Sequence, residues 1–188
     1  MILSAPSGCG KTTLVDRLLR RHPDWVKSVS VTTRTPRAGE EKDKDYIFVS
    51  PREFQEMDSK GELLESAKVF NHWYGTPKGF VMDQLKQARK VFLAIDIQGT
   101  QRLKKILHKK VPLLTIFVLP PSVRVLRERL EGRQTESPEE IQHRIEIAQE
   151  EIKESARYDY TVVNQSLEQS VSTLEGFIEK FEKERRKN

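Results

Sequence analysis

A glycine-rich loop near the start of the chain constrains the fold more than any other feature. In "APSGCGKT", residues 5–12, Gly8 and Gly10 let the backbone approach an anion closely, and Lys11 supplies a positive charge. An apolar run precedes the loop, and a helical pattern follows it, so the helix N-terminus adds amide donors and its dipole. The usual G-x-x-x-x-G-K-[ST] pattern has a glycine where this chain has Ala5. The strand–loop–helix context nevertheless predicts a site for nucleotide phosphates.

Short apolar runs alternate with helical periodicity along the chain, which favours an α/β fold with a parallel-sheet core and crossover helices. Residues 1–5, 90–97 and 113–120 are continuous apolar runs of the kind that form buried parallel strands, and residues 158–164 are a further strand candidate. A helix is predicted over residues 11–21. A second apolar stripe predicts a C-terminal helix with a frayed, solvated end; it consists of Leu167, Val171, Leu174, Ile178 and Phe181.

Two stretches interrupt this alternation and predict insertions into one domain. Residues 30–76 contain short strand-like runs and one brief helix, which starts at Ser50 with the S-x-x-E capping pattern and a following proline. Residues 121–157 are predicted as two helices, the second beginning at Ser137 with the same pattern. The core would then comprise residues 1–29, 77–120 and 158–188.

Composition restricts the environment and the partners of the chain. The 188 residues carry a net charge of +5, which suits both anionic small molecules and nucleic acid. Net charge alone therefore does not distinguish between these two kinds of partner. The single cysteine, Cys9, allows no intramolecular disulfide and favours a reducing compartment. No apolar run approaches the roughly 20 residues that span a bilayer, and the N-terminus lacks an export signal, so we expect a cytoplasmic protein without membrane partners. The first strand is very short, which leaves open a trimmed start.

A second group of phosphate-seeking side chains lies in "SVSVTTRTPR". Arg34 and Arg37 bracket a proline that disfavours helix, so an extended or turning backbone can aim both guanidinium groups at one dianion. Ser30 and Tyr46 add hydroxyl donors for the same oxygens. The alternative interpretation is a basic surface loop.

Further candidate site residues are a group of arginines, a threonine of the glycine loop and the single cysteine. Arg129 and Arg133 are spaced for one helical face, where like charges destabilise a helix unless an anion lies between them, and Arg144 follows on the next predicted helix. Arg124 and Arg127 are expected to face solvent. The hydroxyl of Thr12 is of the type that ligates Mg²⁺ beside bound phosphates. Cys9, between two glycines, is interpreted as a small filler or, alternatively, as a reactive thiol.

These motifs occur in the order typical of one family. The segments "SAPSGCGKTTL", "SVTTRTPRAGE", "DYIFV", "YGTP", "IDIQG", "RLEGRQTES" and "VVN" resemble guanylate kinases from about Ile2 to the C-terminal helix. The resemblance implies the reaction ATP + GMP ⇌ ADP + GDP with Mg²⁺ as the metal. It also implies that residues 30–76 form a GMP-binding insert and residues 121–157 a helical lid.

The resemblance assigns roles to individual residues. Residues implied to act in catalysis are Lys11, Arg37, Arg133 and Arg144. Residues implied to bind ATP are Ala5, Pro6, Ser7, Gly8, Cys9, Gly10, Lys11, Thr12, Thr13, Arg129, Arg133 and Asn164, with Thr12 as the Mg²⁺ ligand. Residues implied to bind GMP are Ser30, Arg34, Arg37, Tyr46, Glu65, Tyr74, Thr76 and Asp96.

The resemblance implies that Glu65 recognises the base, and the chain departs from the family pattern at Ala94. A carboxylate at Glu65 matches the adjacent N1–H and N2 donors of guanine, which adenine lacks, and Thr76 resembles a supporting hydroxyl. Asp96 follows a buried strand and is expected to hold the Mg²⁺ water shell or contact the acceptor. Many family members carry an acid where this chain has Ala94. Gln98 and Gly99 are interpreted as turn formers.

Other functions stay open at this point. A guanylate-kinase-like module without catalysis would bind phosphorylated peptides, and a related kinase would phosphorylate another acceptor such as a phosphorylated sugar. Nucleic-acid binding rests on net charge alone and is not expected. The sequence is compatible with a monomer or a homodimer.

Overall fold

The computed structural model describes residues 1–107, 110–132 and 137–187. The strands, in chain order, are β1 Ile2–Ser4, β2 Val26–Ser28, β3 Ser30–Thr32, β4 Tyr46–Phe48, β5 Leu63–Val69, β6 His72–Pro77, β7 Val91–Ala94, β8 Thr115–Leu119 and β9 Tyr160–Val163. The α-helices are α1 Lys11–Arg21, α2 Pro51–Ser59, α3 Lys78–Lys86, α4 Ile97–Leu107, α5 Val123–Glu131, α6 Pro138–Lys153 and α7 Leu167–Arg185. A 3₁₀ turn, Glu154–Arg157, follows α6.

The chain divides into two compact units. The first, called unit 1, consists of Met1 and His22–Leu113, and the second, called unit 2, consists of Ile2–Arg21 and Leu114–Asn188. Each unit contains parallel strand pairs together with helices. This arrangement confirms the predicted α/β class.

Unit 2 is built on three parallel strands. β8 pairs with β1 on one side and with β9 on the other. The side chains of Leu3, Ile116 and Phe117 are fully buried because these strands form the interior of the unit. Helix α1 packs against α7, and α5 packs against α6. The loops that leave the carboxyl ends of parallel strands are where ligands bind in such sheets.

Unit 1 contains the predicted β-rich insert and a parallel pair, β2 with β7. The insert is a four-stranded sheet in the order β4-β3-β6-β5, in which β3 runs parallel to β4 and antiparallel to β6. Val31, Phe54 and Leu63 form its buried core. The sheet is therefore mixed, as predicted.

Both predicted capping boxes are present. The Ser50 hydroxyl accepts a hydrogen bond from the Glu53 amide, and the Glu53 carboxylate accepts one from the Ser50 amide. Ser137 and Glu140 make the same reciprocal pair at the start of α6. Each box satisfies two amide groups that a helix N-terminus otherwise leaves unpaired. The sequence therefore specified where α2 and α6 begin.

The structure differs from the sequence-based expectation in three places. Strand β6 was not predicted, and α7 continues through the expected frayed end to Arg185. The predicted strand 90–97 ends at Ala94, because the following residues turn into α4. In the described part of the chain, helices long and apolar enough to cross a membrane are absent.

Candidate functional site

The glycine loop of unit 2 follows β1 and leads into α1. Gly8 and Gly10 have φ of 92° and 81°, a region that side chains rarely adopt, so both glycines are required by the backbone. A Cβ at Gly8 would lie 3.0 Å from a methyl carbon of Leu126, so α5 packs closely on the loop. The loop is therefore held in a left-handed turn of the kind that cradles phosphate.

The side chain of Asn164 fixes this loop from the carboxyl end of β9. Its Nδ2 donates a 2.8 Å hydrogen bond to the carbonyl oxygen of Cys9. The backbone amide of Asn164 donates a second hydrogen bond, also of 2.8 Å, to the carbonyl oxygen of Leu119. A Cβ at Gly10 would lie 2.7 Å from that Nδ2, so Gly10 also makes room for Asn164. The sequence analysis assigned Asn164 to ATP, whereas the structure also gives it a contact with the loop itself.

Two of the three site arginines predicted for residues 121–157, Arg129 and Arg144, reach this loop region. Arg129 donates from Nη2 to the carbonyl oxygen of Asn164 at 3.0 Å, while its Nη1 is buried and has no hydrogen-bond partner among the described residues. Arg144 donates from Nη1 to Ser7 Oγ at 3.2 Å. Helix α5 ends at Glu131, and Arg133 lies outside the described residues. The buried Nη1 of Arg129 is therefore a donor available for an acceptor in this region.

A cleft of about 310 Å³ adjoins the loop. It is lined by Gly8, Gly10, Thr13, Arg129, Asn164, Gln165 and Leu167. Sequence reasoning did not select Gln165 or Leu167, because a glutamine and a leucine at the start of a helix carry no distinguishing pattern. Lys11 is the first residue of α1, and Thr12 and Thr13 are exposed. Ala5, Pro6 and Cys9 are buried parts of the loop backbone.

Cys9 is fully buried. Burial suits the interpretation as a small filler, because a reactive thiol needs access to solvent.

In unit 1, three of the predicted acceptor-phosphate residues, Ser30, Tyr46 and Tyr74, share one face of the mixed sheet. Ser30 pairs with Tyr46 across β3 and β4, and Thr32 pairs with Tyr74 across β3 and β6. Paired residues, and residues two apart, point to the same side of a sheet. The Tyr46 and Tyr74 rings contact edge to face, with centroids 5.9 Å apart. Burial raises the pKa of Tyr46, which keeps its hydroxyl a donor.

Arg34 lies over the Tyr46 ring, 5.3 Å from its centroid, and is held by Glu40. Arg34 Nη2 donates to Glu40 Oε1 at 2.7 Å, and the backbone amide of Arg37 donates to Glu40 Oε2 at 2.8 Å. Burial alone raises the pKa of Glu40, but these two hydrogen bonds outweigh it and the pKa lies below its ordinary value. Sequence reasoning missed Glu40 because it belongs to a run of charged residues.

Glu65 and Thr76, the two residues predicted to contact the base, also lie in unit 1. Thr76 Oγ1 donates to Glu65 Oε1 at 2.7 Å, and both residues are buried, at 7% and 1% exposure. Counting on from the Ser66–Gly75 pair places Glu65 opposite Thr76, and the register of β5 against β6 shifts between Leu63 and Ser66. Thr76 is two residues from Tyr74, so these side chains also lie on the face described above.

Burial raises the pKa of Glu65 to about 7. The hydrogen bond from Thr76 opposes that rise, and the charge of Asp96 adds to it. The Glu65 carboxyl is therefore a hydrogen-bonding group poised between its two protonation states at neutral pH.

Asp96 lies at the start of α4, where its Oδ1 accepts a 2.7 Å hydrogen bond from the amide of Gly99. The side chain thus caps the helix. Gln98 and Gly99 belong to the first turn of α4 and are not separate turn formers. Ala94 is the last residue of β7 and is half-buried.

Comparison with known proteins adds an independent line of evidence. A family model described as guanylate kinase matches residues 1–181. A guanylate kinase of Wolbachia sp. subsp. Brugia malayi is 44% identical over 180 residues, which cover 96% of this chain and 91% of the relative. A guanylate kinase of Myxococcus xanthus is 45% identical over 179 residues, covering 95% of this chain and 84% of the relative.

A solved structure is also similar. The crystal structure of guanylate kinase from Anaplasma phagocytophilum matches with a TM-score of 0.78 and 34% identity, covering 95% of this chain and 82% of that one. The family model, the relatives and the solved structure all carry the same family name. The chain therefore belongs to the guanylate kinase family.

Proposed function

We propose that unit 2 binds ATP, unit 1 binds GMP, and the chain transfers the γ-phosphoryl group of ATP to GMP. Family membership supports the reaction, because the curated relatives are guanylate kinases. The observation that carries the choice of acceptor is the buried Glu65 with its Thr76 partner. A carboxylate accepts hydrogen bonds from both N1–H and the N2 amino group of guanine, whereas adenine offers neither at those positions.

On the ATP side, the loop residues 5–13 surround the phosphates, and Lys11 neutralises their charge. Arg129 offers its unpaired Nη1, and Arg144, already beside Ser7, adds a second guanidinium. Arg133 and Asn164 stay part of the proposed ATP set. Residues 121–157 are proposed to act as the lid over this nucleotide.

Mg²⁺ is proposed as the metal. Mg²⁺ is typically held by one or two protein oxygens together with substrate phosphates and water. The exposed hydroxyl of Thr12, in the first turn of α1, is an oxygen of this kind beside the loop. The ion would neutralise charge on the phosphates that Thr12 adjoins.

On the GMP side, residues 30–76 are proposed to bind the acceptor, and Asp96 is proposed to contact it from the start of α4. Ser30, Arg34, Arg37, Tyr46 and Tyr74 would bind the phosphate. A GMP phosphate oxygen attacks the γ-phosphorus, the bond to the bridging oxygen of the β-phosphate breaks, and ADP leaves. The attacking oxygen is already an anion, so positioning and charge neutralisation supply the acceleration.

A coupled assay of ADP release tests the proposal. With ATP and Mg²⁺, we expect rapid ADP release with GMP and little with AMP, CMP or UMP. Equal rates with and without GMP would contradict the proposal and favour a noncatalytic module that binds phosphorylated peptides. Release that requires a phosphorylated sugar would favour the other acceptor class.

Location and assembly are also proposals. The single buried Cys9 fits a reducing compartment, so we propose a cytoplasmic protein. A monomer or homodimer is proposed, and size-exclusion chromatography with light scattering distinguishes them.

A further inference from the structure

Gly99 is an unexpected residue for its position. It lies in the first turn of α4, where its amide donates to Asp96, and it does not have a positive φ. The backbone therefore does not require glycine there, and glycine is a poor helix former. Some other constraint must exclude a side chain.

The constraint is the Glu65 carboxylate. A Cβ on Gly99 would lie 2.5 Å from Glu65 Oε2 and 3.0 Å from its Cδ, and also 3.0 Å from Asp96 Oδ1. Glu65 Oε1 is engaged by Thr76, so the carboxylate is held between that hydroxyl and the first turn of α4. Helix α4 packs against β5, the strand that carries Glu65. A methyl group at residue 99 would have to displace one of these buried groups.

We infer that Gly99 is a positioning residue for base selection: its missing side chain creates the space in which the Glu65 carboxylate is aligned. This inference rests on the proposed role of Glu65 as the group that binds guanine. On this inference the role of Gly99 is indirect: Gly99 positions the Glu65 carboxylate and makes no contact of its own with the nucleotide.

A double-mutant cycle tests the space argument without any activity measurement. Gly99→Ala is expected to lower the free energy of unfolding in the wild-type background. In a Glu65→Ala background the same change is expected to be neutral or stabilising, because the crowded carboxylate is gone and alanine favours the helix. An equal effect in both backgrounds would overturn the inference.

Kinetics and NMR then test the link to base recognition. In Gly99→Ala we expect KM for GMP to rise about tenfold or more, with KM for ATP changed less than about threefold, since a misplaced carboxylate leaves the guanine donors unpaired. The Glu65 carboxyl, followed by ¹³C NMR, is expected to titrate closer to its ordinary range in the variant, because displacement exposes it to water.

Gly79→Ala is the matched control. Gly79 also lies in the first turn of a helix, α3, and a Cβ there meets no atom within 4 Å. It should leave both KM values unchanged. Unaltered GMP kinetics in Gly99→Ala would overturn the role in base selection. Wild-type protein that releases no ADP with GMP would instead overturn the proposed function, while the stability cycle would still decide whether Gly99 makes room for Glu65.

Discussion

Asn164 donates a 2.8 Å hydrogen bond from its side chain to the carbonyl oxygen of Cys9, 155 residues earlier in the chain. The bond joins the carboxyl end of β9 to the glycine loop, and both residues are buried. The side chain therefore holds the loop in the shape that its two left-handed glycines allow.

Asn164→Ala should loosen the loop. A buried carbonyl left without its donor costs about 1–3 kcal/mol, so thermal unfolding should shift to lower temperature. We also expect KM for ATP to rise several-fold while KM for GMP stays within about twofold. Gln169→Ala, at an exposed residue of α7 that does not line the cleft, is the control. An unchanged KM for ATP would show that the loop keeps its shape without this bond.

Glu40 gives a prediction for the acceptor side. Its carboxylate accepts from Arg34 through one oxygen and from the Arg37 amide through the other, so Glu40→Gln keeps the side-chain shape but leaves one of these two donors without an acceptor. We expect KM for GMP to rise about three- to tenfold and KM for ATP to stay constant. Glu41→Gln is the control, since Glu41 is exposed beside Lys44. A lower KM for GMP would mean that Glu40 competes with the phosphate for Arg34.

The sequence predicted the elements that depend on local signals. Helix α1 has the predicted bounds because loop glycines precede it, and α2 and α6 begin at their serine caps. Strand β6 was missed because the loop before it, Phe70-Asn71, contains no glycine. Phe70 nonetheless adopts a φ of 54°, the kind of angle that hairpin turns demand.

The sequence predicted which residues belong to the candidate sites, and it did not predict how they are arranged in space. Arginine spacing and the family resemblance selected Arg34, Arg37 and Glu65. The register of β5 against β6 that places Glu65 beside Thr76 depends on strand pairing, which no local pattern encodes. Glu40 was missed for a related reason: its importance comes from two hydrogen-bond partners that only the folded loop brings together.

Lys11→Met tests the catalytic use of the loop. Lys11 is the first residue of α1 and only partly exposed, and methionine retains most of its length and its helix propensity. Loss of a positioned charge at the transferring phosphates should lower kcat by about 10²-fold or more. The melting temperature should stay within about 2 °C of wild type. Near-normal turnover in the coupled assay would remove Lys11 from the mechanism.

The raised pKa of Glu65 predicts that the ionised carboxylate, which is the form proposed to bind guanine, lowers the free energy of unfolding. Burial raises this pKa from an ordinary 4.5 to about 7 in the folded protein, so between these values the unfolded chain has lost a proton that the folded protein retains. The free energy of unfolding must then fall as pH rises from about 4.5 to 7, by about 3 kcal/mol from this group alone. Above pH 7 the penalty is complete, and below pH 4.5 it is absent.

Glu65→Gln removes that penalty and retains an oxygen for the Thr76 hydroxyl. Chemical denaturation should therefore find the variant more stable than wild type at pH 8, with the difference shrinking toward pH 5. Neighbouring charges from Asp58, Asp96 and Arg102 are common to both proteins, so they largely cancel in the difference. The variant should also lose most activity with GMP, because an amide cannot accept both guanine hydrogen bonds. A stability difference independent of pH would show that Glu65 is not buried as a carboxylate at neutral pH.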